Sequence, residues 1–208
     1  MYVLCITVAV LAYLFGSISP SYLIARHKKK DLRGGGSGNL GASNTAILLG
    51  WQLGVLVGLL DILKACIPVL LVKFLLPEYE LLPFIVATCV VIGHIFPIYL
   101  KFKGGKGFAT FFGGLLGIHW PAFIIIGLIF LAVVAITDKM ALGTFTVISL
   151  FPVYVWIVDR NIVFVGIILI ATLVIFLRHI ENIRRMINKE EIGVREALSG
   201  KHKLPDNE

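Results

Sequence analysis

The sequence Arg33-Gly34-Gly35-Gly36-Ser37-Gly38-Asn39-Leu40-Gly41-Ala42-Ser43-Asn44 is a glycine-dense segment in a chain that is otherwise mostly hydrocarbon. Its glycines permit positive φ values, which turn backbone N–H groups toward a common point. We expect Ser43 or Asn44 to cap a helix that begins at Thr45. The segment therefore predicts an anion-binding loop, with a flexible linker between two hydrophobic helices as the alternative.

Outside this segment, composition is typical of a membrane protein. The 208 residues are 58% hydrophobic and 15% charged, and the mean hydropathy is +0.95. A membrane span needs about 20 residues, and long apolar stretches follow one another along the chain. They cover residues 2–24, 46–76, 81–100, 108–136, 140–158 and 162–177. The predicted fold class is all-α, a polytopic integral membrane protein with one membrane-embedded domain over residues 1–208.

Polar residues interrupt two of the stretches, which are too long for one span each. Residues 46–76 contain Asp61 and Lys64, an i,i+3 pair that would be costly facing lipid, so we expect it to face protein or a cavity. Residues 108–136 are interrupted at His119-Trp120-Pro121, where proline favours a helix start.

Lysine and arginine residues predict the orientation. They cluster at residues 26–33, at residues 101–106 and in the C-terminal segment 178–208, and such clusters mark cytoplasmic loops. The turn at residues 77–80 has two glutamates and no basic residue, so we place it outside. These assignments predict about seven spans, with the N-terminus outside and three cytoplasmic motif loops. The alternative is five spans plus a re-entrant segment, because residues 107–118 give only about 18 Å of helix.

The spacing of the cysteines and the distribution of basic residues indicate which kinds of ligand to expect. Cys5, Cys66 and Cys89 lie in apolar stretches without metal-ligand spacing, so we expect packing roles and neither a metal nor a cofactor. The net charge of +7 is concentrated at the membrane junctions. Membrane lipids or a phosphorylated substrate are therefore the expected partners, and nucleic acid is not.

The second polar motif is Gly93-His94-Ile95-Phe96-Pro97-Ile98-Tyr99-Leu100-Lys101-Phe102-Lys103-Gly104-Gly105-Lys106-Gly107. His94 and Lys101 are seven residues apart, so they would share one face of a helix. Residues 104–107 predict a second nest of backbone N–H groups, which holds a lysine. The alternatives are a purely topological role for the lysines and a satisfied interior position for His94.

The third motif is Arg178-His179-Ile180-Glu181-Asn182-Ile183-Arg184-Arg185, directly after the last apolar stretch. On a continuing helix, His179 and Arg178 lie three and four residues before Asn182, so the three side chains would converge on one patch. A solvated juxtamembrane helix is the alternative.

Together these motifs resemble the acyl-phosphate-dependent glycerol-3-phosphate acyltransferases, the PlsY family. The matching segments are Ser37-Gly38-Asn39-x-Gly41-Ala42-Ser43-Asn44, Gly93-His94-x-Phe96-Pro97 with Phe102-Lys103-Gly104-Gly105-Lys106-Gly107, and His179-x-Glu181-Asn182-Ile183. The resemblance covers essentially the whole chain. It implies transfer of a fatty acyl group from acyl phosphate to the 1-hydroxyl of glycerol 3-phosphate, in phospholipid biosynthesis. It also implies a seven-span fold in the cytoplasmic membrane with the site open to the cytoplasm.

The motifs and the resemblance assign candidate site residues. The catalytic group is Ser37, His179 and Asn182. Donor phosphate and oxyanion binding is assigned to Arg33, Gly36, Gly38, Asn39, Gly41 and Asn44, and glycerol 3-phosphate binding to His94, Lys101, Lys103, Gly104, Gly105, Lys106 and Gly107. The expected partners are acyl phosphate, glycerol 3-phosphate and the soluble enzyme that makes acyl phosphate.

An acyl phosphate carries its own leaving group, so attack by the acceptor hydroxyl needs positioning, proton removal and oxyanion stabilisation. It does not need a nucleophile from the enzyme. His179 and the substrate's own phosphate are the candidate bases, and Ser37 as a covalent nucleophile is the less favoured alternative.

Four positions depart from the family pattern. Ile47 and Ile180 stand where the family usually has arginine, Leu40 replaces a usual proline, and Lys189 stands near a usual glycine. A phosphate-binding arginine is hard to replace, so a paralogue with a different acceptor is an alternative function. A phosphate or organic-anion transporter is another. It would need charge on both membrane faces or a mid-membrane basic site, for which Lys64 is the candidate.

Overall fold

The computed structural model describes residues 2–199, which form helices and short connections without a strand. The α-helices of these residues are α1 (Tyr2–Gly16), α2 (Pro20–His27), α3 (Ala42–Leu49), α4 (Trp51–Leu75), α5 (Leu82–Ile95), α6 (Phe108–Ile118), α7 (Trp120–Thr137), α8 (Met140–Asp159), α9 (Ile162–Arg178), α10 (Ile180–Ile187) and α11 (Val194–Leu198). Short 3-10 turns cover Leu32–Gly34 and Ile98–Leu100. The all-α prediction is confirmed.

Several helices can cross a membrane. Within the described residues, five segments are long and apolar enough: Tyr2–His27, Trp51–Leu75, Leu82–Leu100, Trp120–Thr137 and Met140–Asp159. The pair α9 and α10, bent by 43°, brings the count to six if it is one crossing. The prediction of a multi-pass membrane protein is therefore confirmed, and by length and composition the span count is five or six.

The first apolar stretch is divided into α1 and α2 by a proline. Pro20 lacks a backbone N–H, and the side chain of Ser19 caps α2 by accepting a hydrogen bond from the Tyr22 N–H at 3.3 Å. Because Tyr22 bonds to the cap, the Ile18 carbonyl remains available for a partner from another helix.

The second apolar stretch is divided at Gly50, whose φ of 100° separates α3 from α4. The predicted helix start at Thr45 is wrong, since α3 begins at Ala42 with Gly41 as its N-cap residue. Neither Ser43 nor Asn44 caps the helix, because both lie inside its first turn.

Glycines let α6 lie very close to α4. A Cβ at Gly113 would lie 2.1 Å from the Ile62 carbonyl oxygen, and a Cβ at Gly117 would lie 2.7 Å from the Val69 side chain. Such close approach through small residues is typical of helix packing in membranes. The core beside α6 is formed by buried side chains of α6, α8 and α9, among them Phe111, Leu115, Phe151, Ile168 and Ile175.

The two ends of α6 lie at opposite ends of the bundle. Lys106, just before α6, donates a hydrogen bond to Asn182 on α10. His119, just after α6, lies 2.9 Å from the Asp159 carboxylate at the end of α8. Since α9 runs from the neighbourhood of Asp159 to the neighbourhood of Asn182, α6 traverses the bundle in the direction opposite to α9.

Candidate active site

A cavity of about 580 Å³ lies where the three motifs meet. Residues from all three motifs line it: Gly36, Ser37, Asn39, Gly41, Asn44, His94, Lys106, Gly107, His179 and Asn182. The helices α3, α4, α8 and α10 and the segment after α10 complete the wall. The structure thus brings together motif residues that are up to about 140 positions apart in the chain.

The first motif forms a tight loop built on left-handed glycines. Gly36 and Gly38 have φ values of 56° and 67°. Between them, the Ser37 N–H donates to the side-chain oxygen of Asn44 at 2.8 Å. A Cβ at Gly36 would lie 2.2 Å from that oxygen, so glycine is required there both by conformation and by space.

Asn44 holds this loop together. Its side chain is buried and donates to the Leu32 carbonyl at 2.8 Å and to the Asn39 carbonyl at 3.0 Å. Together with the bond from Ser37, these contacts occupy the whole amide group. The prediction that Asn44 binds phosphate directly is therefore not supported by this geometry, and its structural role is to tie the loop to α3.

The N-terminus of α3 opens into the cavity without a side-chain cap. Its N-cap residue Gly41 has no side chain to offer, and Gly41, Ala42 and Ser43 line the cavity. The first N–H groups of a helix have no intrahelical acceptor, and the helix dipole adds a partial positive charge. This end of α3 is therefore suited to a phosphate or an oxyanion.

Arg33 lies away from this cavity. It is exposed, and its guanidinium lies 5.8 Å from the centre of the Tyr22 ring. The structure therefore does not bring Arg33 to the predicted donor-phosphate site.

The second motif leaves the helix earlier than predicted. Because α5 ends at Ile95, Lys101 does not share a helix face with His94, and that prediction is wrong. Lys101 and Lys103 are exposed and do not line the cavity. The structure therefore does not bring these two lysines to the predicted glycerol 3-phosphate site.

Gly104 and Gly105 are also placed differently from the prediction. Their N–H groups donate to the carbonyls of Ile95 and His94, each at 3.2 Å, so these two N–H groups are not a free anion nest. Glycine is needed at these positions because a side chain would not fit. A Cβ at Gly105 would lie 2.2 Å from the His94 Nε2 atom. The loop thus lies directly against the end of α5. The following Gly107, with a φ of 89°, is the N-cap residue of α6.

Lys106 is the cation that this loop presents to the cavity. Its Nζ donates to Asn182 Oδ1, and Asn182 Nδ2 donates to Glu191 Oε1. Arg185 Nε donates to the other carboxylate oxygen of Glu191 at 2.7 Å. Burial, together with the nearby Arg185 charge, lowers the pKa of Lys106 to about 8. The network places two cations and one amide around one carboxylate.

Glu191 is a cavity residue that sequence reasoning missed. It lies nine residues beyond Asn182, in a polar stretch that has the composition of a solvated tail. The chain turns after α10, and Lys139 from the α7–α8 connection donates to the Glu191 backbone carbonyl. No periodicity in the sequence predicts that the chain turns back to the cavity after α10. The excess of nearby basic residues was the available signal, since buried cations need an acidic partner.

His179 lies at the bend between α9 and α10. It is buried, and its Nδ1 donates to the Ile175 carbonyl at 2.8 Å, which leaves Nε2 as the nitrogen without a proton. Burial lowers the pKa of His179 to about 4, so the ring is neutral at physiological pH. His179 and Asn182 line the cavity whereas Arg178 does not, although the Arg178 charge is close enough to act on His179 and Lys106.

Ser37 lines the cavity and is half-buried. Among residues 2–199, no hydrogen bond joins its hydroxyl to a histidine, and the only acceptor of His179 is the Ile175 carbonyl. A serine nucleophile needs an adjacent base, so the geometry favours direct attack by the acceptor hydroxyl.

The charged pair of the second stretch lies beside the same cavity. Asp61 and Lys64 are buried between helices, and Asp61 lines the cavity together with His94. The expectation that this pair faces protein or a cavity is confirmed.

The fold and the site define a class of protein, a multi-pass helical membrane protein whose three polar motifs meet at a cavity. The family model of glycerol-3-phosphate acyltransferase matches residues 6–189. The chain therefore belongs to the glycerol-3-phosphate acyltransferase family, as its motifs indicated. It is a membrane acyltransferase of phospholipid biosynthesis.

Individual relatives agree with this assignment. The chain is 37% identical to a glycerol-3-phosphate acyltransferase 1 of Oceanobacillus iheyensis, over 88% of this chain and 91% of that one. It is 40% identical to the glycerol-3-phosphate acyltransferase of Pelagibacter ubique, over 88% and 94%.

Solved structures agree as well. A crystal structure of PlsY, an integral membrane glycerol 3-phosphate acyltransferase in its glycerol 3-phosphate form, superposes with a TM-score of 0.86 at 30% identity, covering 91% of this chain and 94% of that one. The lysophosphatidic acid form of PlsY gives a TM-score of 0.84 at 29% identity, covering 94% and 98%.

Proposed function

We propose that the chain transfers a fatty acyl group from acyl phosphate to the 1-hydroxyl of glycerol 3-phosphate, which yields lysophosphatidic acid and inorganic phosphate. The observation that carries this proposal is that the uncapped N-terminus of α3 and the half-buried Lys106 open into one cavity. Two phosphates can then be held in the same chamber, as the transfer requires. The glycerol 3-phosphate and lysophosphatidic acid forms of the solved PlsY structures support the acceptor and the product.

The donor phosphate is assigned to the first motif. Ala42 and Ser43, whose N–H groups lie at the positive end of α3, line the cavity together with Ser37 and Asn39. A phosphate there needs no dedicated cation, which agrees with the position of Arg33 outside the cavity. An acyl chain attached to this phosphate meets the apolar wall that α3 and α4 contribute, which includes Ile47 and Val55.

The acceptor phosphate is assigned to the second and third motifs. Lys106 and Arg185 supply positive charge, and the Asn182 amide and the His94 ring supply hydrogen-bonding groups along the same wall. The Glu191 carboxylate neutralises part of this charge. Arg185 also gives the cavity a guanidinium, although Ile47 stands where the family usually has arginine.

The chemistry is a direct displacement. The acceptor hydroxyl oxygen forms a bond to the acyl carbon, the bond between that carbon and the phosphate oxygen breaks, and inorganic phosphate leaves. His179 Nε2 accepts the hydroxyl hydrogen bond and orients the nucleophile. With a pKa of about 4, His179 is a weaker base than a phosphate, whose second pKa is about 6, so the proton goes to a substrate phosphate.

The site faces the cytoplasm in a seven-span topology with the N-terminus outside. The two ends of α6 lie at opposite ends of the bundle, which supports a crossing by this short helix. The loop before Phe108, from which α6 starts, is itself largely buried in the protein. The basic residues at positions 26–33, 101–106 and 178–185 all flank the cavity end of the bundle, which supports a cytoplasmic location for that end.

The decisive experiment is a phosphate-release assay with the purified protein. We expect rapid release from acyl phosphate that requires glycerol 3-phosphate, formation of lysophosphatidic acid, and no turnover with acyl-CoA. Lys106→Met should abolish the phosphate release that requires glycerol 3-phosphate. Lys103→Met, which replaces an exposed lysine of the same loop, is the matched control and should keep that release. Comparable turnover with acyl-CoA, or phosphate release that ignores the acceptor, would contradict the proposal.

A further inference from the structure

A buried polar cluster lies between α4 and α5, beside the cavity. It consists of Asp61 and Lys64 on α4 and His94 on α5, all with little exposed surface. Ionisable side chains inside a membrane protein are costly and are kept where they have a function. Neither Asp61 nor Lys64 has a role in the transfer described above.

Lys64 has its polar partners inside the protein. Its Nζ atom makes hydrogen bonds with His94 Nδ1 at 2.8 Å and with the Ile18 carbonyl oxygen at the α1–α2 break at 3.0 Å. It also forms an ion pair with Asp61 Oδ1 at 2.8 Å. Lys64 does not line the cavity, which also argues against a mid-membrane anion site of a transporter.

The distances around His94 determine where its ring carries the proton. Nδ1 lies 2.8 Å from the Lys64 ammonium and 3.3 Å from the Asp61 carboxylate oxygen. A proton on Nδ1 would point an N–H group at an ammonium group at hydrogen-bonding distance, which is repulsive. Nδ1 is therefore an acceptor, and the neutral ring carries its proton on Nε2.

The protonated edge of His94 lies beside the loop that carries Lys106. A Cβ at Gly105 would lie 2.2 Å from Nε2, so this edge lies against Gly105, directly before Lys106 in the chain. His94 and Lys106 both line the cavity. An N–H group at this position is suited to donate to an anionic oxygen.

We propose that Asp61 and Lys64 are positioning residues, which hold His94 in the Nε2–H tautomer so that it donates a hydrogen bond to the phosphate of glycerol 3-phosphate. Lys64 does so by occupying Nδ1, and Asp61 does so by keeping Lys64 charged and in place. The part of this inference that concerns substrate rests on the proposed function, whereas the tautomer does not.

The tautomer is measured by nitrogen NMR on protein labelled with 15N-histidine. The chain has five histidines, and the signals lost in His94→Gln identify His94. We expect a protonated Nε2 and an unprotonated Nδ1 in the unaltered protein. In Lys64→Met, Nδ1 can donate to Asp61 instead, so the proton should move to Nδ1. A protonated Nδ1 in the unaltered protein would overturn the inference whatever the activity is.

The link to substrate is measured by two-substrate kinetics. His94→Ala should raise KM for glycerol 3-phosphate by about tenfold or more, as for loss of a hydrogen bond to a charged group, with little change in KM for acyl phosphate. Lys64→Met should reproduce this pattern although Lys64 does not reach the cavity. His94→Gln, which keeps an N–H group near the position of Nε2, should raise KM far less.

Two controls keep this test interpretable. Lys73→Met removes another lysine of α4 that donates to a single carbonyl, that of Ile118, and should leave both KM values unchanged. If Lys64→Met does not fold, Asp61→Asn combined with Lys64→Met removes both charges and should give a mixture of tautomers. Equal KM changes for both substrates in His94→Ala, or an unchanged tautomer without Lys64, would overturn the inference. Phosphate release by the unaltered protein that does not depend on glycerol 3-phosphate would instead contradict the proposed function.

Discussion

Glycines at the site meet two different physical requirements. Gly36 and Gly38 adopt left-handed φ values that other residues rarely adopt. Gly104 and Gly105 do not, and they are needed because the loop lies against the end of α5. A change at each kind of glycine should therefore affect the site in a different way.

Gly105→Ala should raise KM for glycerol 3-phosphate more than KM for acyl phosphate, because the added Cβ would lie 2.2 Å from His94 Nε2 and 2.7 Å from the Leu40 carbonyl oxygen of the first motif. Gly38→Ala should do the reverse, since its φ of 67° shapes the loop beside the donor phosphate. Both effects are those of lost binding at separate subsites. A two-substrate kinetic matrix in detergent or nanodiscs measures them. Equal increases for both substrates in both variants would mean that the loops form one shared subsite.

The charge of Lys106 predicts an alkaline limit for acceptor binding. Because burial lowers its pKa to about 8, the free enzyme should lose this charge as pH rises through that value. We expect kcat/KM for glycerol 3-phosphate to fall above pH 8, since this parameter reports groups of the free enzyme. In Lys106→Arg the charge persists, so the fall should be absent even if the activity is lower. The same fall in both proteins would exclude Lys106 as its cause.

His179 predicts a loss of rate rather than of binding. If its Nε2 orients the acceptor hydroxyl, His179→Ala should lower kcat by about 10²-fold, the lower range for groups that assist proton transfer. Burial lowers the pKa of His179 to about 4, so its titration should not change the activity near pH 6.5, the usual pKa of histidine. Its stability contribution is fully present above the unfolded pKa and decreases as pH falls toward 4. Unaltered kinetics in a folded His179→Ala variant would return the residue to a packing role.

At the scale of elements, α6 depends on its contact with α4. Gly113→Ala places a Cβ 2.1 Å from the Ile62 carbonyl oxygen, which is backbone and cannot rotate away. We expect a loss of about 1–3 kcal/mol of stability, as for an overpacked core. Gly166→Ala on α9 is the matched control, because its Cβ would meet nothing within 4 Å and alanine favours the helix. Thermal unfolding of both variants in the same detergent measures the difference. Equal unfolding midpoints would show that α6 can shift away from α4 at little cost in stability.

At the scale of the whole molecule, seven crossings predict the side on which each connection lies. Single cysteines at Glu78, Trp120 and Arg160, in a variant without native cysteines, should react with an impermeant maleimide on intact cells. A cysteine at Lys103 should react only after lysis. Trp120 is decisive, since it follows α6, and labelling of Trp120 only after lysis would favour a re-entrant α6.

The sequence alone determined that this chain is a helical membrane protein with three polar motifs at the junctions of its spans. The reason is local, because hydrocarbon surroundings require continuous apolar segments whose backbone groups are paired within each helix. Pro20 and Gly50 could have been read as breaks by the same logic, since each acts on its own backbone.

The contacts of each polar group of the site follow from how the helices pack and not from sequence spacing. Asn44 bonds to Leu32, twelve residues away, and Lys106 bonds to Asn182, 76 residues away. A buried donor takes whichever acceptor the folded chain brings to it, and sequence spacing does not carry that information. For this reason the N–H groups of Gly104 and Gly105 proved to be occupied, while Glu191 and two partners of Lys64, Ile18 and His94, came from elsewhere in the fold.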